Sequence, residues 1–225
     1  MQLGGRPAVS EHSSALAHHF DDLEQQHESV TLGMWVFLVT EVMFFGGLFA
    51  GYAIYRTAYP DAWREASHHL DLAIGAANTT VLIGSSLTMA FAVHAAQVGK
   101  KVQLCVNLIL TMLLGAVFLG VKVVEYADKF HHGLVPGSLF TFDAGALTQQ
   151  VQLFFVFYFA MTGMHALHMV IGFFLMIYLL VKALRGGLLG DFYKPVEVVG
   201  LYWHFVDIVW IFLFPLLYLI GRHHG

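Results

Sequence analysis

Ionisable side chains inside apolar segments are the residues of this sequence whose type and position suit chemistry. Glu41 lies deep in an apolar run, 31–55, that is long enough to cross a bilayer. A carboxyl group at that depth costs about 3 kcal/mol or more to place. It must therefore face protein or water, find a partner, or stay protonated. Six further residues of this kind occur in apolar segments: His94, Glu125, His165, His168, His204 and Asp207.

Glu41 has three possible roles, as a proton carrier, a counter-ion or a buried hydrogen-bonded acid. A low-dielectric environment disfavours the charged form of a carboxyl group. We therefore hypothesise that Glu41 is neutral at pH 7 and bonds to a polar group on a facing helix.

His165 and His168 stand three residues apart, so they share one face of a helix. This spacing suits a metal ion, but a site needs three or four converging ligands. The alternative, which we favour, is two buried histidines bonded to hydroxyl, carboxyl or carbonyl groups. Four adjacent histidine pairs are expected to be interfacial polar residues: His18-His19, His68-His69, His131-His132 and His223-His224.

Motifs for other chemistry are missing. The sequence has no Cys-x-x-Cys-His haem motif, no Walker sequence and no GxGxxG, and its one cysteine, Cys105, lies in an apolar run. The polar stretch around Asn78, Ser85 and Thr88 is better explained by packing between helices than by a permeation path. We predict that this chain binds no metal and holds no redox centre.

The composition indicates a polytopic membrane protein. Of 225 residues, 58% are hydrophobic and only 12% are charged, against about 25% charged in soluble domains. The net charge of −4 gives no reason to expect nucleic acid as a partner. Because a span needs about 20 apolar residues, we predict an all-α bundle with five transmembrane helices, at about 31–55, 72–96, 103–126, 151–182 and 199–220.

The first 30 residues differ from the rest. They are acidic, and apolar residues recur there at helical spacing. Within the acidic segment 1–30 we expect a short amphipathic helix between residues 10 and 30, lying at the surface or against a partner, with a disordered acidic tail as the alternative. The five-helix domain 31–225 follows.

Loops and glycines suggest how the spans are arranged. The tight turn at 99–101 predicts that the second and third spans are antiparallel neighbours. Gly46, Gly47 and Gly51 follow Glu41 and would let another helix approach closely. Lysine and arginine divide almost evenly between the two sides. The N-terminal side has six, and the other side has five: Arg56, Arg64, Lys122, Lys129 and Arg222. The short basic connections favour an N-terminus inside and a C-terminus outside.

Five motifs in order resemble subunit III of haem–copper terminal oxidases, that is, the cytochrome c oxidase subunit III family. Glu41-Val42-Met43-Phe44-Phe45 is similar to the family's buried glutamate motif, and Glu125-Tyr126 to its E-Y pair. The other three motifs are matched by three stretches of this chain. The segment with Asn78 and His94 is similar to the family's polar helix, 162–172 to its TGxHxxHVxxG stretch, and 200–214 to its terminal helix.

The resemblance implies a non-catalytic subunit of cytochrome c oxidase. Its main partner would be subunit I, which holds the haems and copper that reduce O₂ to water and pump protons. The subunit would support proton uptake and sustained turnover. Further partners would be subunit II, a small helical subunit, membrane phospholipid and a wider respiratory supercomplex. The related alternatives are an accessory subunit of a quinol oxidase or nitric oxide reductase. A proton-coupled transporter and a metal-dependent membrane enzyme are more distant ones.

The resemblance also implies roles for individual residues. Glu41 would be the carboxyl group that reacts with hydrophobic carbodiimides, and the buried histidines and acids would be internal hydrogen-bonding residues. The chain departs from the seven-helix mitochondrial form and is similar to the shorter form of the bacterial plasma membrane. Four residues are candidates for lipid contact: Trp35, Arg185, Trp203 and His204.

Overall fold

Five long helices make up almost all of the described chain. The computed structural model describes residues 22–186, 188–189 and 192–219, which contain five helices long and apolar enough to cross a membrane. This confirms the predicted all-α membrane bundle. The helices are α1 (Leu23–Ala58), α2 (Pro60–His68), α3 (Leu72–Gln97), α4 (Lys101–His131), α5 (Thr148–Leu184) and α6 (Lys194–Tyr218), with a 3₁₀ helix at Gly145–Leu147.

The helix ends follow local sequence signals. Asp22 and Asp71 cap α1 and α3, because their carboxyl groups accept hydrogen bonds from backbone N–H groups of the first turn. Gly99, with φ of 73°, lies in the turn between α3 and α4, where a left-handed backbone suits glycine. The antiparallel packing of α3 against α4, predicted from this turn, is confirmed.

Two boundaries differ from the predictions. Helix α2 lies between the first two predicted spans, 31–55 and 72–96, where the sequence predicted no helix. Pro60 opens it and Trp63 is completely buried, so packing stabilises a helix too short to form alone. Helix α1 begins at Leu23 and continues through residue 30 without a break. The amphipathic segment predicted for 1–30 otherwise lies outside the described residues and stays a prediction.

Helix α6 is the centre of the bundle, and α1 is its most exposed span. Trp203 and Trp210 of α6 are completely buried between α3, α4 and α5. Among the residues of α1 whose side chains the structure describes, four are buried: Met34, Leu38, Phe45 and Tyr52. Its outward face carries large apolar side chains that are more than half exposed: Leu32, Val36, Val39, Met43 and Ile54. This face is available to lipid or to another subunit.

Glycines allow the tryptophans to approach the helix backbones. A Cβ atom on Gly172 of α5 would lie 2.8 Å from ring carbons of Trp203, closer than van der Waals contact allows. The close approach predicted at Gly46 and Gly47 was wrong for this chain, because nothing lies within 4 Å of either position. Gly51 does contact the ring of Phe157.

We predict that Gly172→Ala lowers the free energy of unfolding by about 1–3 kcal/mol, because the added methyl group overlaps the Trp203 ring. The control is Gly120→Ala, where nothing lies within 4 Å and alanine is the better helix former. Denaturant titration of the purified complex measures both. Equal stability of the two variants would contradict the packing described here.

Candidate functional site

A hydrogen bond between Glu41 and His168 joins α1 to α5 in the interior of the membrane region. His168 Nε2 lies 3.0 Å from Glu41 Oε2, and the two side chains are 11% and 19% exposed. The other ring nitrogen, Nδ1, lies 2.8 Å from the Met164 carbonyl oxygen. A carbonyl only accepts, so Nδ1 carries a proton and donates it.

This arrangement limits the protonation states of the pair. With Nδ1 protonated, the contact is either a carboxylic acid donating to a neutral imidazole or an imidazolium donating to a carboxylate. In both, one proton lies between the two residues and the pair has no net charge. A polar partner for Glu41 on a facing helix, as we hypothesised, is therefore present. The neutral state of Glu41 stays a prediction.

A second polar cluster surrounds Glu125, where α4, α5 and α6 meet. Lys122 Nζ donates to Glu125 Oε2 at 2.9 Å and to the Tyr218 hydroxyl at 2.8 Å. Tyr158 donates to Glu125 Oε1 at 2.7 Å, and Tyr218 donates to the same oxygen. The Lys122 ammonium also lies 4.7 Å from the Trp210 ring centroid, a cation–π distance. The two charges are thus paired and surrounded by donors and aromatic faces.

Lys122 was missed as a site residue, since we counted it with the charges of the second membrane side. Its side chain is 6% exposed, and that of Glu125 is 9% exposed. The signal in the sequence was the three-residue spacing of Lys122 and Glu125 within an apolar run, which allows an ion pair on one helix face. The two tyrosines come from distant parts of the chain and left no such signal.

The two histidines of α5 have different surroundings. His165 is 1% exposed, and neither ring nitrogen has a hydrogen-bond partner. Its ring lies 5.1 Å from that of Trp210 and 5.5 Å from that of Phe118, between centroids. Among the described residues, no group of three or more histidine, cysteine, aspartate and glutamate side chains is placed to hold a metal ion.

The hydroxyl groups of α3 bond to neighbouring helices, as expected for packing. Ser86 Oγ lies 2.7 Å from His204 Nδ1 of α6, and Thr88 bonds to Thr111 of α4 at 2.7 Å. Trp203 Nε1 donates to Ser85 at 3.1 Å. The α3–α6 interface is therefore built on polar contacts as well as on apolar ones.

Asn78 and Asp207 are buried, as predicted. Asn78 Nδ2 donates to the Phe118 carbonyl at 3.2 Å, while its Oδ1 atom has no partner. Asp207 is 3% exposed, and neither of its carboxyl oxygens has a hydrogen-bond partner.

Two of the predicted site residues require correction. His94 was expected to be buried, but it is exposed near the end of α3, where its ring reaches the surface. Trp203 was expected to contact lipid, but it is completely buried, because Gly172 and Gly115 provide space for its ring. Trp35 and His204 do line an apolar groove of about 490 Å³ between α1 and α6. Arg185 is exposed at the end of α5.

The paired histidines do not form one class. His131 and His132 are exposed, as expected of interfacial residues. His69, which follows α2, packs its ring against Phe142 with centroids 4.7 Å apart, and its Nε2 atom has no hydrogen-bond partner. Burial lowers the pKa of His69, which favours the neutral imidazole. The pairs at 18–19 and 223–224 lie outside the described residues.

Comparison of the sequence with known protein families identifies one that matches nearly the whole chain. Residues 7–222 match the family model described as cytochrome c oxidase subunit III. The chain belongs to the cytochrome c oxidase subunit III family. Subunit III is part of a terminal oxidase, so this chain is an accessory subunit of an oxidoreductase complex in a membrane and assembles with other oxidase subunits.

Relatives carry the names of two oxidase types. Cytochrome c oxidase subunit 3 of Corynebacterium diphtheriae is 35% identical, over 85% of this chain and 88% of the relative. The probable quinol oxidase subunit 3 of Staphylococcus saprophyticus is 31% identical, over 92% and 98%. Cytochrome bo(3) ubiquinol oxidase subunit 3 of Pseudomonas aeruginosa is 30% identical, over 92% of each. The match therefore extends over nearly whole subunits.

We predict that Glu41→Gln removes a carboxylic-acid C=O band from the infrared spectrum of the complex, as expected for the form of the pair in which the acid donates to His168. The variant should keep α1 in place, since the Gln amide also donates to Nε2. Glu41→Leu should lower stability by about 1–3 kcal/mol, because it leaves a buried nitrogen unpaired. If Glu41→Gln removes carboxylate bands instead, the pair consists of a Glu41 carboxylate and a His168 imidazolium.

We also predict that Lys122→Met and Glu125→Gln each lower the free energy of unfolding of subunit III by about 3–5 kcal/mol, because each leaves one buried charge unpaired. The double variant should be more stable than either single one. Arg64→Met is the control: Arg64 and Asp61 have the same spacing but are 54% and 77% exposed, so the effect should stay within about 0.5 kcal/mol. Additive losses in the double-mutant cycle would contradict the pairing.

Proposed function

We propose that this chain is the non-catalytic subunit III of a bacterial haem–copper cytochrome c oxidase. In this proposal subunit I holds the haems and copper, subunit III holds no redox centre, and its role is to support proton uptake and sustained O₂ reduction. The observation that carries the proposal is the family match over nearly the whole chain. The internal pairing of Glu41, Lys122 and Glu125 supports it, because these groups then serve the bundle itself.

A quinol oxidase is the second candidate. The relatives named as quinol oxidase subunits match this chain nearly as well as those named as cytochrome c oxidase subunits. A transporter and a metal enzyme have less support. The pairing of Glu41 with His168 and the separate environment of His165 do not favour a proton relay or a metal site in α5.

We further propose that subunit III packs on subunit I, with subunit II, a small helical subunit and a supercomplex as possible neighbours, and that it binds phospholipid. The outward apolar face of α1 suits a partner helix or acyl chains. The groove between α1 and α6 is lined mostly by apolar side chains, which suits an acyl chain, and Trp35 and His204 lie on its walls.

An orientation with the N-terminus inside and the C-terminus outside remains our proposal for the plasma membrane. Lys122, counted before with the second side, is buried and ion-paired, so it gives no weight to that side. The basic residues Lys100, Lys101 and Arg185 lie at exposed connections on the N-terminal side. The positive-inside rule therefore favours this orientation more clearly than the raw count did.

The test is to purify the complex through a tag on subunit III, record its visible spectrum, and then remove the subunit. We expect haem absorbance to co-purify and reduced cytochrome c to serve as the electron donor. After removal, the initial rate of O₂ reduction should change little while activity decays faster during turnover. Donation by quinol alone would favour the second candidate. Immediate loss of activity with intact haem would contradict a supporting role.

A further inference from the structure

A second groove lies between the start of α3 and the end of α4. It has a volume of about 640 Å³ and shares no lining residue with the groove between α1 and α6. One end, which we call the mouth, carries the charged residues Asp71, Asp128 and Lys129. The rest of the groove is mainly apolar and extends along α4 as far as Val117. A charged end above an apolar track is the shape of a phospholipid site.

We propose that this groove binds one molecule of phosphatidylethanolamine, with its phosphate at Lys129, its ammonium group at Asp71 and an acyl chain beside Gly120. The inference goes beyond the proposed function, because it names a separate lipid site and the headgroup that the site selects. It requires that the chain lies in a membrane, and it holds for either oxidase type.

The apolar part of the groove has the form of an acyl-chain track. Val117, Gly120, Val121 and Val124 stand three or four residues apart on α4, so they form one stripe along the helix. From Val117 to Asp128 the helix rises roughly 16 Å, which is about half of the hydrocarbon core of a bilayer. At Gly120 nothing lies within 4 Å of the position of a Cβ atom, so the middle of the stripe is open.

Lys129 is the first group that indicates a headgroup. It lines the mouth but is only 4% exposed. Its ammonium donates to Asp128 Oδ2 at 2.8 Å, which is its one hydrogen bond among the described residues. An ammonium group has three N–H donors, so two remain for oxygen atoms of a ligand. Because buried donors are normally satisfied, a phosphate at the mouth would complete the hydrogen bonds of Lys129.

Asp71 provides the opposite charge. Its Oδ1 atom caps α3 by accepting hydrogen bonds from two backbone N–H groups of the first turn. Asp71 has no ion-pair partner among the described residues. The carboxyl groups of Asp128 and Glu125, which also line the groove, are each paired with a lysine. The groove therefore has one carboxylate without a cation, and that carboxylate is exposed at the mouth.

This charge pattern selects among headgroups. The primary ammonium group of phosphatidylethanolamine supplies the missing cation and donates a charge-assisted hydrogen bond to a carboxylate. Phosphatidylcholine has a cation without N–H groups, so it donates no such bond. Phosphatidylglycerol has no cation at all, and its phosphate charge would remain unopposed beside Asp71. Phosphatidylethanolamine is therefore the headgroup that satisfies both Lys129 and Asp71.

The experiment counts the lipid that the intact complex retains. Wild type and Gly120→Leu are washed in detergent, equilibrated with an equal mixture of phosphatidylethanolamine, phosphatidylglycerol and phosphatidylcholine, and repurified. Mass spectrometry then gives the amount of each lipid per subunit III. We expect Gly120→Leu to retain one phosphatidylethanolamine molecule fewer than the wild type, because the leucine side chain fills the groove from an open position.

Gly33→Leu is the matched control. Gly33 is an exposed glycine of α1 that also has nothing within 4 Å, so its variant should retain the same lipid as the wild type. Equal retention of phosphatidylethanolamine in Gly120→Leu and Gly33→Leu would overturn the site. Loss of phosphatidylglycerol or phosphatidylcholine in place of phosphatidylethanolamine would overturn the choice of headgroup.

The headgroup contact has its own test, which adds no bulk to the groove. Asp71→Asn keeps a good N-cap residue but removes the charge, so retention of phosphatidylethanolamine should fall about twofold to fivefold. Asp22→Asn is the control, because Asp22 caps α1 in the same way and does not line this groove. Unchanged retention in Asp71→Asn, or an equal fall in both variants, would overturn the ammonium contact.

Discussion

A charged group in the hydrocarbon region is costly unless it finds a partner inside the protein, because the core of a bilayer contains no water to bond it. Most of this structure follows from that constraint. Lys122 and Glu125 are tolerable there only because the two charges meet and tyrosine hydroxyls complete their hydrogen bonds. Since the partners come from α4, α5 and α6, satisfying these charges also fixes the relative positions of three helices.

The polar contacts are unevenly distributed among the helices. The α3–α6 interface contains several hydrogen bonds between side chains, including those of Ser85 and Ser86. Helix α1 is bonded to the rest mainly through Glu41 and Tyr52, and an apolar groove separates part of it from α6. A firmly joined bundle of four spans with one more loosely attached helix suits a subunit that assembles with other oxidase subunits.

Corrections to the sequence-based predictions have a common physical cause. Apolar periodicity says that a segment is a helix in a membrane, but it does not say which neighbour covers each face. Trp203 was assigned to lipid on the family resemblance, yet two glycines on other helices create space for it in the core. His94 was assigned to the interior with the other histidines, but its face of α3 is not covered by this chain.

The sequence by itself determined the five spans, the all-α class, the turn between α3 and α4, and the list of acids and histidines that need partners. Composition and local spacing suffice for these, because they depend on neighbours along the chain. Only the tertiary structure decided which partner each group has: His168 for Glu41, Lys122 and two tyrosines for Glu125, none for Asp207. These pairings join residues up to 127 positions apart, and helix packing, not local sequence, sets that distance in space.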